Sequence, residues 1–227
     1  MREGDRKLAN PAIRIEELTK VFGEDTVLDH ITREFEEGKI HGIVGNNGSG
    51  KTVMMKCICG FLQPTSGRVY VHYRQVGRDM DFPPDIGIII ETPGFLPNIS
   101  GMRNLEILAS LRRQIDRATI RRTIKKVGLD PDSLKPVGKY SLGMRQRLGI
   151  AQAIMEDPSI LILDEPFNGL DRHGVKEMRE LIRGLRDRKK TILLASHNQA
   201  DIDELCDTVC EMDAGVMTMV RQTAWIV

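Results

Sequence analysis

Apolar and polar residues alternate along Ile13-Arg14-Ile15-Glu16-Glu17-Leu18 with the period of two of a strand with one buried face, and Phe22-Gly23 closes it. The pattern predicts a second strand over Ile31–Phe35, which Glu37-Gly38 turns into the apolar run Ile40–Val44. Gly67–Val71 reads as a further short strand after the turn Pro64-Thr65-Ser66, and the almost unbroken apolar run Ile86–Ile90 as a strand buried on both faces. After Glu91 the pattern changes. Thr92-Pro93-Gly94-Phe95-Leu96-Pro97-Asn98 excludes regular structure, while Met102–Arg113 and Ala118–Val127 have helical spacing, so the stretch to about Lys139 reads as a helical insertion. Strand periodicity returns at Ile160–Leu163 and Thr191–Ala195, with the helical Val175–Arg188 between them. Alternating strands and helices predict an α/β fold, with a mostly parallel sheet covered on both faces.

The run Ile40–Val44 leads into Gly45-Asn46-Asn47-Gly48-Ser49-Gly50-Lys51-Thr52, and Val53-Met54-Met55-Lys56 continues as a helix. This matches the phosphate-binding pattern G-x-x-x-x-G-K-[ST] in its required setting between strand and helix. Glycines let the backbone turn tightly and aim amide N–H groups at phosphate oxygens, and the helix adds the partial positive charge of its first turn. Lys51 can reach the β- and γ-phosphates, and the Thr52 hydroxyl can take a place on Mg2+. The chain is expected to bind a nucleoside triphosphate.

Ile160–Leu163 ends in Asp164-Glu165. In a parallel sheet the carboxyl ends of the strands face the ligand crevice, the edge that also presents the phosphate loop. Asp164 is placed to hold Mg2+, and Glu165 to orient and polarise an attacking water. Glu91 ends its strand at the same edge, either as a solvated acid or as a carboxylate near the metal. Local evidence leaves three further features open. Ser141 is a good N-cap for the helix-like run that follows, Asn168-Gly169-Leu170-Asp171 is a turn, and His197 is either a phosphate contact or a structural histidine.

Composition narrows the setting. The 227 residues suit one large domain or a domain with an inserted subdomain, and 41% hydrophobic with 29% charged residues is an ordinary globular balance. A net charge of +1 implies no general attraction to nucleic acid or anionic membrane, and basic clusters such as Arg121-Arg122 and Lys125-Lys126 read as solvated helix faces. Cys57, Cys59, Cys206 and Cys210 lack paired metal spacing; Cys206 and Cys210 could approach if they share a helix, but a buried structural role for all four fits best. With reduced thiols, no signal segment and no run of eighteen apolar residues, the chain is expected in the cytosol, neither exported nor spanning a membrane.

The order of these features resembles the ATP-binding subunit of ABC transporters: phosphate loop, Glu91, helical insertion, Ser141-x-Gly143, Asp164-Glu165, Gly169-Leu170-Asp171 and Ser196-His197. The resemblance runs from about Ile13 to Val216. It implies a single ABC-type ATPase domain over residues 1–227: a P-loop NTPase core with a mostly parallel sheet, an N-terminal antiparallel β subdomain, and an inserted α-helical subdomain at about 92–139. It further implies ATP and Mg2+ as ligands, with Gly45, Asn46, Asn47, Gly48, Ser49, Gly50, Lys51 and Thr52 around the phosphates. Phe22 is similar to the aromatic residue that stacks on adenine. Ser141 and Gly143 match the signature segment, which in this family contacts the γ-phosphate held by the opposite subunit. Asp171 falls in the loop between the two sites, and His197 matches the histidine that senses the γ-phosphate.

Tyr140-Ser141-Leu142-Gly143-Met144 departs from the family's commonest signature, Leu-Ser-Gly-Gly-Gln, and Glu91 stands where glutamine is usual. Both departures resemble the bacitracin- and lantibiotic-resistance subgroup of bacterial exporters. The implied partners are an integral-membrane permease and a second ATPase subunit, in a homo- or heterodimer peripheral to the inner face of the cell membrane. No nucleic acid is expected. The alternative is a soluble ABC-type ATPase acting on ribosomes or DNA, but the chain has neither a second such domain nor a long coiled-coil insertion. A binding module without turnover is opposed by intact Lys51, Asp164, Glu165 and His197.

Overall fold

The computed structural model describes residues 11–91 and 93–222. Thr92, the first residue of the expected irregular segment, lies outside the described residues, as do the chain ends. In chain order the elements are β1 (Pro11–Phe22), β2 (Asp25–Glu36), β3 (Ile40–Val44), α1 (Lys51–Ile58), β4 (Ser66–Val71), β5 (Arg74–Gln75), β6 (Ile86–Ile89), α2 (Gly101–Arg112) and α3 (Arg117–Lys126). There follow α4 (Leu142–Ile154), β7 (Ile160–Asp164), α5 (Arg172–Asp187), β8 (Thr191–Ala195), α6 (Gln199–Leu205), β9 (Thr208–Asp213) and β10 (Val216–Gln222).

Two sheets result. One is antiparallel, in the order β2-β1-β4-β5; the other runs β10-β9-β3-β8-β7-β6 and is parallel apart from β10. The apolar runs of β3, β7 and β8 have no polar face because they occupy the middle of the second sheet, covered on both sides. Their side chains alternate between two cores. Leu161, Leu163, Ile192 and Leu194 pack with α2 to α6. Ile160, Ile162, Leu193 and Ala195 pack with α1 and the antiparallel sheet. Each Leu or Ile buried in this way contributes about 1.5–3 kcal/mol.

β6 is not buried on both faces. It is the edge strand, Gly87 and Ile89 are buried while Ile86 and Ile88 are half-covered, and a run of apolar residues cannot tell an edge from a centre. Its inward glycine is required: a Cβ at Gly87 would stand 2.0 Å from the Ala153 carbonyl oxygen of α4. The helical insertion is an α2–α3 pair, with α2 capped by Ser100 and α3 by Asp116. All four cysteines are buried, but Cys206 ends α6 while Cys210 lies in β9, so they share no helix. Burial pushes the Cys59 and Cys206 thiols up to about 12, which suits packing rather than reactivity.

Candidate functional site

Because β3, β6, β7 and β8 are parallel, their carboxyl ends deliver the phosphate loop, Glu91, Asp164-Glu165 and Ser196-His197 to one edge. The loop turns through glycines at φ 148° (Gly45), 82° (Gly48) and 104° (Gly50), backbone that side chains rarely adopt. A Cβ at Gly45 would strike the Met212 carbonyl oxygen at 2.2 Å, whereas Gly48 faces open space. The loop curls around Lys51, whose Nζ donates to the carbonyl oxygens of Gly45 (2.7 Å) and Asn46 (2.9 Å). Lys51 is only 7% exposed, and among the described residues no carboxylate forms an ion pair with it. A buried ammonium held by neutral acceptors is costly until an anion arrives, so the cradle fits a phosphate.

Thr52 Oγ1, in the first turn of α1, donates to Asp164 Oδ2 at 2.6 Å, bringing two hard oxygen donors together beside the loop. Glu165 follows with left-handed backbone (φ 49°), and its N–H donates to the Ala195 carbonyl oxygen at 3.0 Å. Both of its carboxylate oxygens meet His197: the backbone N–H donates to Oε1 at 3.0 Å, and the ring Nδ1 lies 2.8 Å from Oε2. Glu91, also left-handed (φ 60°), has its Oε1 engaged by Lys56 Nζ at 2.6 Å. A cavity of about 670 Å3 opens over these groups, bounded by Asn47, Gly48, Lys51, Thr52, Glu91, Asp164 and Glu165, with Leu142, Arg145 and Gln146 of α4 among the facing residues.

Gly50 also lines it, whereas Phe22, Ser141, Gly143, Asp171 and His197 lie outside that lining. Phe22 is a half-exposed ring at the end of β1 with Lys20 Nζ 4.9 Å from its centroid. Ser141 caps α4, its Oγ accepting the Met144 N–H at 3.2 Å, and Asp171 caps α5, accepting the Gly174 N–H at 2.7 Å. Gly143 lets these two caps approach, since a Cβ there would meet the Gly169 carbonyl oxygen at 2.7 Å. Three participants were missed in the sequence: Lys56, Gln146, whose side-chain amide donates to the Glu165 carbonyl at 3.2 Å, and Asn168 in the lining. Lys56 was readable as one helical turn beyond Thr52, on the same face.

Residues 28–168 match the family model described as ABC transporter. The chain belongs to the ABC transporter family. It is 41% identical over 203 residues to the uncharacterized ABC transporter ATP-binding protein YybJ of Bacillus subtilis, covering 89% of this chain and 93% of that one. It is 41% identical over 205 residues to the bacitracin transport ATP-binding protein BcrA of Enterococcus faecalis, covering 89% and 67%. The lantibiotic transport ATP-binding protein SrtF of Streptococcus pyogenes is 36% identical over 198 residues, covering 87% and 85%. The fold matches the dimeric, ADP- and Pi-bound post-hydrolysis structure of the ATP-binding cassette MJ0796, with a TM-score of 0.82 over 93% of this chain and 100% of that one, at 21% identity. This ABC protein is thus an ATP-binding transport subunit and an ATPase, and the ribosome- or DNA-directed alternative is not favoured. No helix among the described residues is long and apolar enough to cross a membrane.

Proposed function

We propose that residues 1–227 form one ABC-type ATPase domain that closes face to face with a second copy around two ATP molecules and drives a separately encoded permease. The observation that carries this reading is the buried Lys51, which has no carboxylate partner among the described residues, set beside the Thr52–Asp164 and Glu165–His197 pairs. In this reading Lys51 and the amides of Gly45 to Thr52 bind the β- and γ-phosphates, and Phe22 stacks on adenine. Thr52 and Asp164 would hold Mg2+, with Glu91 nearby, and the ion supplies neutralising charge to the phosphate oxygens. Ser141 and Gly143 of one copy contact the γ-phosphate on the other, and Asp171 lies between the two sites.

Both oxygens of Glu165 are occupied by His197, which holds the base in a closed pair. When the γ-phosphate draws the imidazole away, Oε2 is released to orient the attacking water. Closure between two subunits excludes bulk water and strengthens every charged contact to the phosphates. Loss of the γ-phosphate removes the bridge and the pair opens, which is the movement passed to the permease. The irregular segment around Pro93 and Pro97, together with α2 and α3, lies between Glu91 and α4 in the chain and is the natural place for that permease to act. Identity to BcrA and SrtF, and the Glu91 and Tyr140–Met144 departures, support export of peptide antibiotics from a position at the inner face of the cell membrane.

Mixing subunits tests the shared site. A heterodimer of Ser141→Arg with Lys51→Ala places both defects in one site and leaves the other whole. It should recover ATPase activity that neither variant shows alone. Verified heterodimers as inactive as the parent variants would count against composite sites.

A further inference from the structure

The His197 imidazole is 66% exposed, so packing does not fix it. Its direction depends on the backbone of residues 196–198, where the chain leaves β8. That segment is clamped from behind. Ser196, only 2% exposed, donates its Oγ–H to Asp201 Oδ2 at 2.9 Å, and the same hydroxyl accepts the Asn198 N–H at 3.2 Å. Asp201, also 2% exposed and set in α6, accepts Arg179 Nε on Oδ1 at 2.9 Å, with Arg179 Nη2 on the same oxygen. Arg179 belongs to α5 and also reaches Glu204, so it keeps an acidic partner if Asp201 loses its charge.

A buried ion pair is poor evidence of stabilisation, because well-packed apolar residues usually serve as well. What this pair does is geometric. It ties Ser196 directly, and Asn198 through the Ser196 hydroxyl, to one carboxylate that takes no part in lining the nucleotide cavity. We infer that Asp201, held by Arg179, is a positioning residue for ATP hydrolysis: through Ser196 Oγ it sets the backbone from which His197 reaches Glu165 and the γ-phosphate. The inference rests on the role assigned to His197 above.

Single-turnover ATP hydrolysis and ATP affinity of the purified protein test it. Asp201→Asn and Ser196→Ala should each slow the chemical step by about ten- to a hundredfold, the scale of a misplaced catalytic group. ATP affinity should change by less than about twofold, since neither residue touches the phosphate loop. Arg179→Lys, which keeps a cation beside Asp201, should retain most of the wild-type rate. In a His197→Ala background neither substitution should add a further loss, because both act through that side chain. Should Asp201→Asn fail to fold, Ser196→Ala, which removes one hydroxyl, decides the matter. Normal hydrolysis by His197→Ala would remove the reading beneath the inference. A slow His197→Ala beside wild-type rates in Asp201→Asn and Ser196→Ala, or the same loss in both backgrounds, would overturn the inference alone.

Discussion

Lys51 sets function against stability at one residue. Its ammonium is buried among carbonyl oxygens, an arrangement suited to an anion and costly without one. Lys51→Met should therefore abolish ATP binding in calorimetry while raising the thermal midpoint of the nucleotide-free protein. A gain of about 1 kcal/mol would move it up by about 2–4 °C for a chain of this size. A less stable Lys51→Met protein would show that the ammonium stabilises the loop rather than straining it. Glu91 poses the second question at this scale. Its pairing with Lys56 is exposed, 62% for the Glu91 side chain, so little stability depends on it. We expect Glu91→Ala to retain ATP affinity, shift the Mg2+ dependence of hydrolysis and uncouple turnover from transport, with Glu91→Gln milder. Wild-type Mg2+ dependence and transport in Glu91→Ala would make it a solvated acid. The glycines, Lys51 and Thr52 were legible because their spacing is itself the phosphate-binding pattern. Gln146 was not, because which side of α4 meets the cavity depends on how that helix packs.

Among the elements, the central strands were readable from their apolar runs, and their bounds hold at β3 and β8. β1 and β2 extend well past the predicted stretches because bulges between Ile15 and Val21 shift the register and break the period of two. α6, β9 and β10 went unread; α6 has only seven residues, and Thr208, Glu211 and Asp213 interrupt the buried Val209, Cys210 and Met212 of β9. β3 also carries a polar residue in the core. The His41 ring is 2% exposed, with Nε2 donating to the Glu36 carbonyl at 2.9 Å and Nδ1 lying 2.7 Å from Thr208 Oγ1, bonds that a neutral ring satisfies. Burial pushes its pKa down to about 4. The unfolded chain, with an ordinary value of about 6.5, therefore binds the proton first as pH falls. The stability from keeping His41 neutral is complete above pH ~6.5 and is lost progressively down to about pH 4, on the order of 3 kcal/mol. Urea unfolding should show the midpoint falling across that window, and less steeply in His41→Gln. Equal slopes in both proteins would assign the acid sensitivity elsewhere.

At the scale of the whole molecule, the parallel sheet brings the phosphate loop, both carboxylates and His197 to one edge, while α4 and α5 present Ser141 and Asp171 on neighbouring caps. The chain carries one phosphate loop and one signature segment. Ser141 and Gly143 do not line its own cavity, although Leu142 and Gln146 of the same helix do. In the proposed closure a second copy supplies the missing contact across ATP. The most direct measurement is light scattering of Glu165→Gln during size-exclusion chromatography in the presence of ATP. Replacing the carboxylate leaves the phosphate loop intact and removes the group proposed to orient water, so ATP should persist and hold the pair closed. Glu165→Gln should run at twice the 25.6 kDa chain mass with ATP, and at the single-chain mass without it or when it also carries Lys51→Ala. A Glu165→Gln protein that stays at the single-chain mass with ATP bound and unhydrolysed would contradict the proposed closure.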